Sequence, residues 1–401
     1  MGEAKEDFDA GLEHVEQSAG IQQTHDDVFG EISDDGPNFR NVGFVGTIIL
    51  MMKTQIGLGV LAIPNAFNIL GMAPGIICLF VMAFITTWSG YIIGTFKLQH
   101  REVYSIDDAG DILFGLPGRV YLATGFCLYY IFNSGSAILS LSIGLNAVST
   151  HATCTAVFAA VAAIFGFGFS SIRTLGRITW LAWVGLPCIL TAVIIVTVAV
   201  GIEDRPDAAP ETAGPWVSDW KVVGQPSFAQ GIAAVSNLLF AFSGTPGFFS
   251  IVSEMRNPQQ YPAAMVICQA GVTVVHLSSN TPTHWMTWFA CTFGVTVIAW
   301  IIASTIPVFD SLVSLIGALL GPVMCIQPMG AMWLHDNWGK GKGQKKTKSW
   351  MLGSVWSVTL IVLGTFLMVA GTYGSVVGIM DAYSASGGSA AFSCADNSNS
   401  T

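Results

Sequence analysis

Two glycines and a proline interrupt the first long apolar segment of this chain, within the stretch QIGLGVLAIPNAF. They are Gly57, Gly59 and Pro64. In a helix interior, Gly costs about 1 kcal/mol and Pro about 3 kcal/mol relative to Ala. In a bilayer, a helix is broken only where protein or a cavity supplies partners for the freed backbone groups. The pattern therefore predicts a helix broken between Gln55 and Pro64, with backbone groups available to bind a ligand.

The sixth apolar segment is interrupted in the same way by the sequence FAFSGTPGFF, residues 240–249. Two interrupted helices that lie five spans apart are typical of inverted-repeat transporters. The N-terminus of a half-helix offers free N–H groups and the positive end of a helix dipole, which suit a carboxylate. Unwound carbonyl groups suit an amine or a cation. Because glycine and proline are common in membrane helices, a simple kink explains either interruption alone, whereas the pair favours a binding site.

The residues predicted to bind a small zwitterion all lie at these two interruptions: Gly57, Leu58, Gly59, Phe240, Ser243, Gly244 and Thr245. The three in the first segment are expected to donate backbone N–H groups to the carboxylate. The Ser-Gly-Thr sequence is expected to line the opposite face, where its carbonyl groups bind the amine. Phe240 is placed to contact the substrate side chain or to act as a gate, although a core-facing phenylalanine fits the same position.

Lys53 is the sharpest single feature, because it lies about ten residues into the first apolar segment, near the membrane midplane. A charge at that depth costs about 2.5 kcal/mol or more, so the side chain is expected to face the bundle interior. It is a candidate for proton or cation coupling, and the alternative is a structural lysine bound to backbone carbonyls. Thr54 is a further candidate for cation or hydroxyl contact. Glu254, beside Arg256 at the inner end of the sixth segment, is a candidate for an inner gate or an interfacial ion pair.

The composition indicates an integral membrane protein. The chain has 401 residues, of which 52% are hydrophobic and 10% charged, whereas a soluble domain carries about 25% charged residues. Residues 1–41 are rich in Asp and Glu and lack an apolar signal segment, which predicts a disordered acidic cytoplasmic tail. The sequence has no nucleotide-binding, zinc or basic nucleic-acid motif. We therefore expect no enzyme activity, no cofactor or metal, no nucleic acid and no obligate protein partner.

Nine apolar segments approach or exceed the length of about 20 residues that a bilayer requires: 43–69, 73–96, 119–148, 152–171, 175–202, 227–252, 285–305, 309–334 and 350–380. Lys and Arg in the short loops predict a cytoplasmic N-terminus. Both Arg256 and the lysines of 340–348 then lie inside, so an even number of spans must separate them. The 14-residue piece 262–275 is therefore predicted not to cross; the alternative is that it crosses and the lysine cluster misleads. Residues 386–401 become an extracellular tail.

Several stretches resemble the fungal branch of the amino acid/auxin permease family, and within it the neutral amino acid permeases: GLGVLAIPNAF, RTLGRITWLAWVG, FSGTPGFFSIVSEMRNPQQY, NTPTHWMTW, IPVFDSLVSLIGALLG and GTYGSVVGIMDAYSASGGSAAFSCADNS. The resemblance covers residues 37–401. It implies an all-α transmembrane domain, here 42–385, with a five-plus-five inverted-repeat, leucine-transporter-like core in which helices 1 and 6 are broken. It also implies that the chain imports neutral amino acids with protons across the plasma membrane, the vacuolar membrane being the alternative.

The sequence departs from that family near residues 275 and 276, where about one and a half spans are absent. Family members have eleven spans, whereas here Val275 runs directly into HLSSNTPTHW and about nine full spans remain. The alternative function is therefore that of a non-transporting membrane protein, either an amino acid sensor or an inactive truncated paralogue or isoform. Cys154 and Cys394 both fall on the predicted outer side, where an oxidising compartment would allow a disulfide bond.

Overall fold

The structure is a computed structural model, and it describes residues 25–26, 30–31, 41–56, 58–150, 152–170, 182–188, 191, 221–278, 309–338 and 348–385. The helices, in chain order, are α1 (Phe44–Gln55), α2 (Leu58–Leu70), α3 (Met72–Gln99), α4 (Ile106–Phe114), α5 (Leu116–Ser149), α6 (Thr155–Ser170), α7 (Phe228–Ala241), α8 (Phe248–Ser253), α9 (Tyr261–Ser278), α10 (Phe309–Leu319), α11 (Gly321–Cys325), α12 (Gln327–Trp338) and α13 (Lys348–Ala385). Short 3₁₀ helices lie at Thr245–Gly247 and Pro258–Gln260, and residues 182–188 are also helical. Two short strands, β1 (His25–Asp26) and β2 (Gly30–Glu31), pair antiparallel.

Among the described residues, four helices are long and apolar enough to cross a membrane: Met72–Gln99, Leu116–Ser149, Phe228–Ser253 with its interruption, and Lys348–Asp381. A bent pair that begins at Asp310 provides a fifth if its two parts count as one span. All of segment 285–305 and most of segment 175–202 lie outside the described residues. An all-helical membrane protein is thus confirmed, and the predicted number of spans stays a prediction.

The longest helix, α13, carries a stripe of exposed apolar side chains that recurs every three to four residues: Leu352, Val355, Val358, Val362, Phe366, Val369, Tyr373, Val376 and Met380. This spacing places the stripe on one helix face. A continuous apolar face of this size is costly in water and is expected against lipid chains. Of the four candidate spans, α13 is the least buried inside the protein and Phe228–Ser253 is the most buried.

The interrupted helix pair α7–α8 therefore forms the centre of the bundle. Helix α7 begins with a capping box, in which Gln230 N–H donates to Ser227 Oγ (3.3 Å) and Ser227 N–H donates to Gln230 Oε1 (3.1 Å). The two bonds satisfy N–H groups that a helix start leaves without partners. Helix α7 packs against α2, α10 and α13. A large apolar core joins these elements with α1, α3, α5 and α9.

A third interruption, which the sequence analysis did not predict, divides the segment 309–334. Helices α10 and α12 are separated by the short helix α11, and the two parts are bent by 48°. Pro322 and Pro328 lie at the starts of α11 and α12. Each proline lacks the N–H group that would continue the preceding helix, so the bend follows from the sequence Gly-Pro and Gln-Pro.

Helix α9 is longer than the piece 262–275 that was predicted. It has 18 residues, Tyr261–Ser278, and its length is therefore about 27 Å at 1.5 Å per residue. The predicted piece ended with the apolar run at Val275, whereas His276 is buried and lies within the helix. Helix α9 packs against α1 and α3. Whether it crosses the membrane stays a prediction.

A polar junction connects α4 with the start of α5. The Arg119 guanidinium lies 3.8, 3.3 and 3.5 Å from carboxylate oxygens of Asp107, Asp108 and Asp111 respectively. Asp108 also accepts the N–H group of Ser105 at 3.1 Å, which caps the start of α4. One guanidinium thus balances three carboxylates that would otherwise repel one another on a single short helix.

Candidate functional site

The first interruption is a true break in the helix. Helix α1 ends at Gln55, and Ile56 is extended, with φ −80° and ψ 94°. The next helix begins at Leu58. Gly57 lies outside the described residues, so its predicted role is not placed. Pro64 was expected at the edge of the break but lies inside α2 instead; its fixed φ is compatible with a helix, and only one hydrogen bond is lost.

The second interruption is a tightened turn and not an extended break. Phe242, Gly244 and Gly247 have φ between −100° and −74° and ψ between −11° and 5°. Hydrogen bonds from i to i−3 run through it, from Ser243 N–H to the Phe240 carbonyl (3.0 Å) and from Gly247 N–H to the Gly244 carbonyl (3.2 Å). The Gly244 carbonyl already accepts one hydrogen bond in the 3₁₀ turn, but a carbonyl oxygen has two lone pairs, so its predicted role toward an amine stays a prediction.

The two interruptions are in direct backbone contact. A Cβ placed on Gly59 would lie 2.3 Å from Cα of Ala241. A Cβ placed on Gly244 would lie 2.8 Å from the carbonyl oxygen of Thr54 and 2.6 Å from Cγ of Gln55. No side chain fits at such distances, so glycine is required at both positions. The sequence therefore predicts correctly that the two stretches meet, and the glycines have a packing role in addition to any role in binding.

Polar side chains are buried at this junction. Gln55 is 3% exposed, and neither its Oε1 nor its Nε2 has a hydrogen-bond partner among the described residues. Thr245 is fully buried, and its hydroxyl lies by the Cys325 thiol and makes no hydrogen bond of good geometry with the described part of the chain. Buried polar side chains are hydrogen-bonded in the large majority of cases. An amide that offers both a donor and an acceptor, together with a hydroxyl group, therefore makes this junction a place where a polar ligand or water would be stabilised.

His276 is a functional candidate that sequence reasoning missed. It is 1% exposed, and its imidazole lies against the backbone of Gln55 and 4.6 Å from the ring of Phe242, centroid to centroid. Neither ring nitrogen completes a hydrogen bond with good geometry to another described residue. The available signal is a histidine directly after an apolar run, a position that a loop residue occupies equally well. A titratable group thus contacts both interruptions.

Tyr129 on α5 is a second missed residue. Its hydroxyl donates a hydrogen bond of 2.5 Å to the carbonyl of Ser243, and its side chain is buried. The hydroxyl of Ser243 in turn donates to the carbonyl of Leu239 at 2.7 Å. Tyr129 therefore fixes the second interruption from a separate helix. A tyrosine among the many aromatic residues of an apolar segment gives no sequence signal for this contact.

Phe240 has the surroundings of a core residue. Phe240 is 5% exposed. A Cβ placed on Gly317 of α10 would lie 2.9 Å from Cβ of Phe240. Its packing against α10 agrees with the alternative interpretation, in which the side chain is an ordinary core phenylalanine. Leu58 is the first residue of α2, so its N–H group belongs to the first helical turn, whose N–H groups have no partner within the helix.

Lys53 and Thr54 lie in the last turn of α1. Lys53 is half-buried, and its Nζ would lie 3.8 Å from a Cβ placed on Gly185, in the fifth predicted span. The side chain thus faces a neighbouring helical segment, and the negative end of the α1 dipole favours a cation at this position. Thr54 donates from Oγ1 to the carbonyl of Met51 at 2.8 Å. The coupling roles of both residues stay predictions.

Glu254 ends the sixth segment and is 3% exposed. Its carbonyl accepts the N–H group of Val42 (3.1 Å), while the Val42 carbonyl accepts the N–H group of Arg256 (2.8 Å). The start of the first segment is thereby paired with the end of the sixth. The Arg256 guanidinium donates to Oδ1 of Asn41 at 3.0 Å, and the predicted roles of Glu254 in a gate or an interfacial ion pair stay predictions. Burial raises the pKa of the nearby Tyr104, and the negative charge of Glu254 raises it further.

Cys154 is disulfide-bonded in the structure. Its predicted partner, Cys394, lies outside the described residues, so the pairing stays a prediction. The cysteines described as free thiols are Cys78, Cys127, Cys188, Cys268 and Cys325.

Apolar spanning helices, together with two interruptions that meet around buried polar groups, are typical of the class of membrane transporters. The chain matches the profile of the family described as "Transmembrane amino acid transporter protein" over residues 40–278 and 273–377. It belongs to that family.

Three relatives illustrate the range of the match. A protein of Fusarium pseudograminearum named "Transmembrane transporter" is 28% identical over 431 positions, covering 91% of this chain and 89% of the relative. The "N amino acid transport system protein" of Neurospora crassa is 27% identical over 449 positions, covering 96% and 94%. The "Amino acid transporter AVT1H" of Arabidopsis thaliana is 25% identical over 276 positions, covering 65% and 60%.

Proposed function

We propose that this chain is a secondary active transporter that imports neutral amino acids together with protons. The observation that carries the proposal is the junction of the two interruptions, where the amide of Gln55 is buried with no hydrogen-bond partner among the described residues and the hydroxyl of Thr245 is also buried. The α-ammonium and α-carboxylate groups of an amino acid supply one strong donor and one strong acceptor. A zwitterion is therefore the kind of ligand that satisfies both halves of the Gln55 amide.

The substrate carboxylate binds at the start of α2, where the N–H groups of Leu58 and Gly59 belong to the first helical turn. The N–H group of Gly57 is proposed as the third donor to this carboxylate. Thr245 and the backbone of Ser243 form the opposite side. The interruptions, 54–59 and 240–247, contain no Asp or Glu, so a second positive charge on the substrate has no counter-ion there. This absence favours neutral over dibasic amino acids.

Proton coupling is assigned to Lys53, with His276 as a second titratable group that contacts both interruptions. The test is the pH dependence of uptake in Lys53→Met and in a control, Lys348→Met, at an exposed position. We expect Lys53→Met to flatten the pH profile while Lys348→Met keeps the wild-type profile. An unchanged profile in Lys53→Met removes this residue from the coupling step, and His276→Gln then tests the second group.

The proposed core is an inverted repeat of five plus five spans with about nine full spans in total, a cytoplasmic N-terminus and a plasma-membrane location. Two findings support the shortened core. The alignments with the fungal relatives extend over 431 and 449 positions, more than the 401 residues of this chain, so the relatives contain positions without a counterpart here. The family profile also matches in two separate ranges that overlap at residues 273–278. This overlap coincides with the place where about one and a half spans are proposed to be absent.

The deciding experiment is uptake of radiolabelled amino acids by a permease-deficient fungal strain that expresses this chain. The panel contains alanine, leucine and phenylalanine as neutral substrates, lysine as a dibasic one and glutamate as an acidic one. Gln55→Leu is compared with Gln260→Leu, a control at an exposed loop position. We expect concentrative uptake of neutral amino acids, lost in Gln55→Leu and kept in Gln260→Leu. Equal uptake by both variants contradicts the proposed site.

The second candidate is a non-transporting membrane protein, such as an amino acid sensor. It is favoured by the positions of the fungal relatives that have no counterpart in this chain. Binding separates the two candidates, because a sensor binds an amino acid without accumulating it. That binding is measured by thermal unfolding of the purified chain with and without an amino acid at about 10 mM. A ligand that binds only the folded state raises the midpoint temperature of unfolding. A raised midpoint without uptake in cells supports the sensor and overturns the transporter.

A further inference from the structure

A cluster of two imidazoles and one carboxylate lies at the ends of two helices, away from the junction described above. His100 is the residue that follows α3, and His335 and Asp336 lie in the last turn of α12. Helices α3 and α12 pack against each other. The cluster joins residues 235 and 236 positions apart in the sequence, which is why no sequence motif indicated it. Orientation from the basic loops predicts that both helix ends face the cytoplasm.

The three side chains converge closely. Nε2 of His100 lies 2.9 Å from Oδ1 of Asp336, and Nδ1 of His335 lies 3.2 Å from the same oxygen. All three ligand atoms lie within 4.8 Å of one another. A tetrahedral zinc ion bound at about 2.0–2.1 Å places its ligand atoms about 3.3 Å apart. The observed separations therefore need to change by only a few tenths of an ångström at two of the three contacts.

The cluster is also held in place before any ion binds. Asp336 is the buried member, with its side chain 8% exposed, while His335 is 41% exposed and leaves access from solvent. The ring of His100 lies against that of Phe96, with centroids 4.4 Å apart, which fixes its orientation. Its second nitrogen, Nδ1, lies 3.9 Å from a carboxylate oxygen of Glu102. This distance is too long for a hydrogen bond, so Glu102 is a nearby acceptor and it is the contact with Phe96 that orients the ring.

We propose that His100, His335 and Asp336 bind a divalent transition-metal ion of the class that imidazole prefers, with Zn²⁺ as the reference ion. Two imidazoles and a carboxylate are an established ligand type for zinc, and three protein ligands leave a fourth position for water. The ion replaces a network in which both histidines share one carboxylate oxygen. It thereby links the end of α3 to the end of α12. The site is independent of amino acid transport and is tested without measuring it.

The test uses the purified full chain in detergent, carrying an affinity tag that contains no histidine, and ZnCl₂ as the probe. Isothermal titration gives the affinity and stoichiometry, and Co²⁺ absorption reports tetrahedral coordination. We expect one site per chain, with the affinity reduced at least about tenfold in His335→Ala and in Asp336→Asn. The control is His25→Ala, which removes a histidine of the N-terminal strand and leaves the site intact.

His335 is exposed, so its truncation leaves the packed core unchanged, and size-exclusion chromatography verifies that each variant stays monodisperse. Asp336→Asn keeps the shape and an acceptor oxygen, which separates loss of a ligand from loss of structure. The proposal is overturned if the wild type shows no saturable Zn²⁺ binding. It is equally overturned if His335→Ala and Asp336→Asn bind as tightly as the wild type, or if only His25→Ala weakens binding.

Discussion

The contact between Gly59 and Ala241 provides the sharpest test of how the two interrupted helices are joined. In Gly59→Ala, the new Cβ would lie 2.3 Å from Cα of Ala241 and 2.9 Å from its backbone nitrogen. Ordinary van der Waals contact begins at about 3.4 Å, so the two backbones must separate by about 1 Å. Backbone atoms of a buried helix cannot rotate away as a flexible side chain does.

The expected cost is at the upper end of the range for overpacking, about 3 kcal/mol. Alanine recovers part of this cost, up to about 1 kcal/mol, through its higher helix propensity. In domains of 150–250 residues, 1 kcal/mol shifts the unfolding midpoint by about 2–4 °C, so a net cost of about 2 kcal/mol predicts a decrease of roughly 4–8 °C. Because the shift moves α2 against α7, uptake is expected to fall at least about tenfold, since displacements of 1 Å cost about 100-fold at active sites.

The assay is the thermal unfolding midpoint of the purified chain, followed by uptake in cells at matched surface expression. Gly378→Ala is the control, because a Cβ at that position of α13 meets no atom of the described residues within 4 Å, and we expect its midpoint to be unchanged or slightly higher. The reasoning is refuted if Gly59→Ala matches Gly378→Ala in midpoint and retains uptake within twofold. That result would mean that the interruptions tolerate separation.

Three further predictions concern individual contacts. Tyr129→Phe removes the donor to the Ser243 carbonyl and is expected to lower stability by about 1–2 kcal/mol and raise KM for uptake; an unchanged KM and midpoint would assign the hydrogen bond no role. Arg119→Ala breaks contacts with three carboxylates and is expected to cost about 1 kcal/mol or less at low salt, with the difference vanishing at 1 M NaCl; a cost that is insensitive to salt contradicts an electrostatic origin. Cys154→Ser is expected to lower the free energy of unfolding by about 2 kcal/mol. Mass spectrometry without reduction is expected to identify Cys394 as the disulfide partner, and a different linked cysteine would refute the predicted pairing.

Much of the fold was predictable because a bilayer imposes strict rules on sequence. Long apolar runs with few charges predicted α3, α5 and α13 with small differences at their ends, since each spanning helix must satisfy its own backbone. The interruption after Gln55 was predictable from its glycines. The bend in segment 309–334 has a local signal in Gly321 and Pro322. The extent of α9 was not predictable from polarity, because a buried histidine and a loop histidine are the same residue in the sequence.

The candidate site was predictable only in its location. Glycine spacing indicated where two helices are weakened, but it gave no information about which backbone groups remain available. The Gly244 carbonyl accepts a local bond within the 3₁₀ turn, whereas the bond from Tyr129 to the Ser243 carbonyl forms only when distant segments pack. The buried side chain with no hydrogen-bond partner among the described residues at this junction is that of Gln55, which no motif distinguishes from other buried polar residues.

By itself, the sequence determined that this is a membrane protein with interrupted first and sixth segments, because composition and apolar length depend on local chemistry alone. The tertiary structure decided which residues meet. It brought Gly59 onto Ala241, His276 against Gln55, and His100 beside Asp336. Each of these pairs joins positions far apart in the chain, and the distance between them is set by the packing of whole helices, which no local pattern encodes.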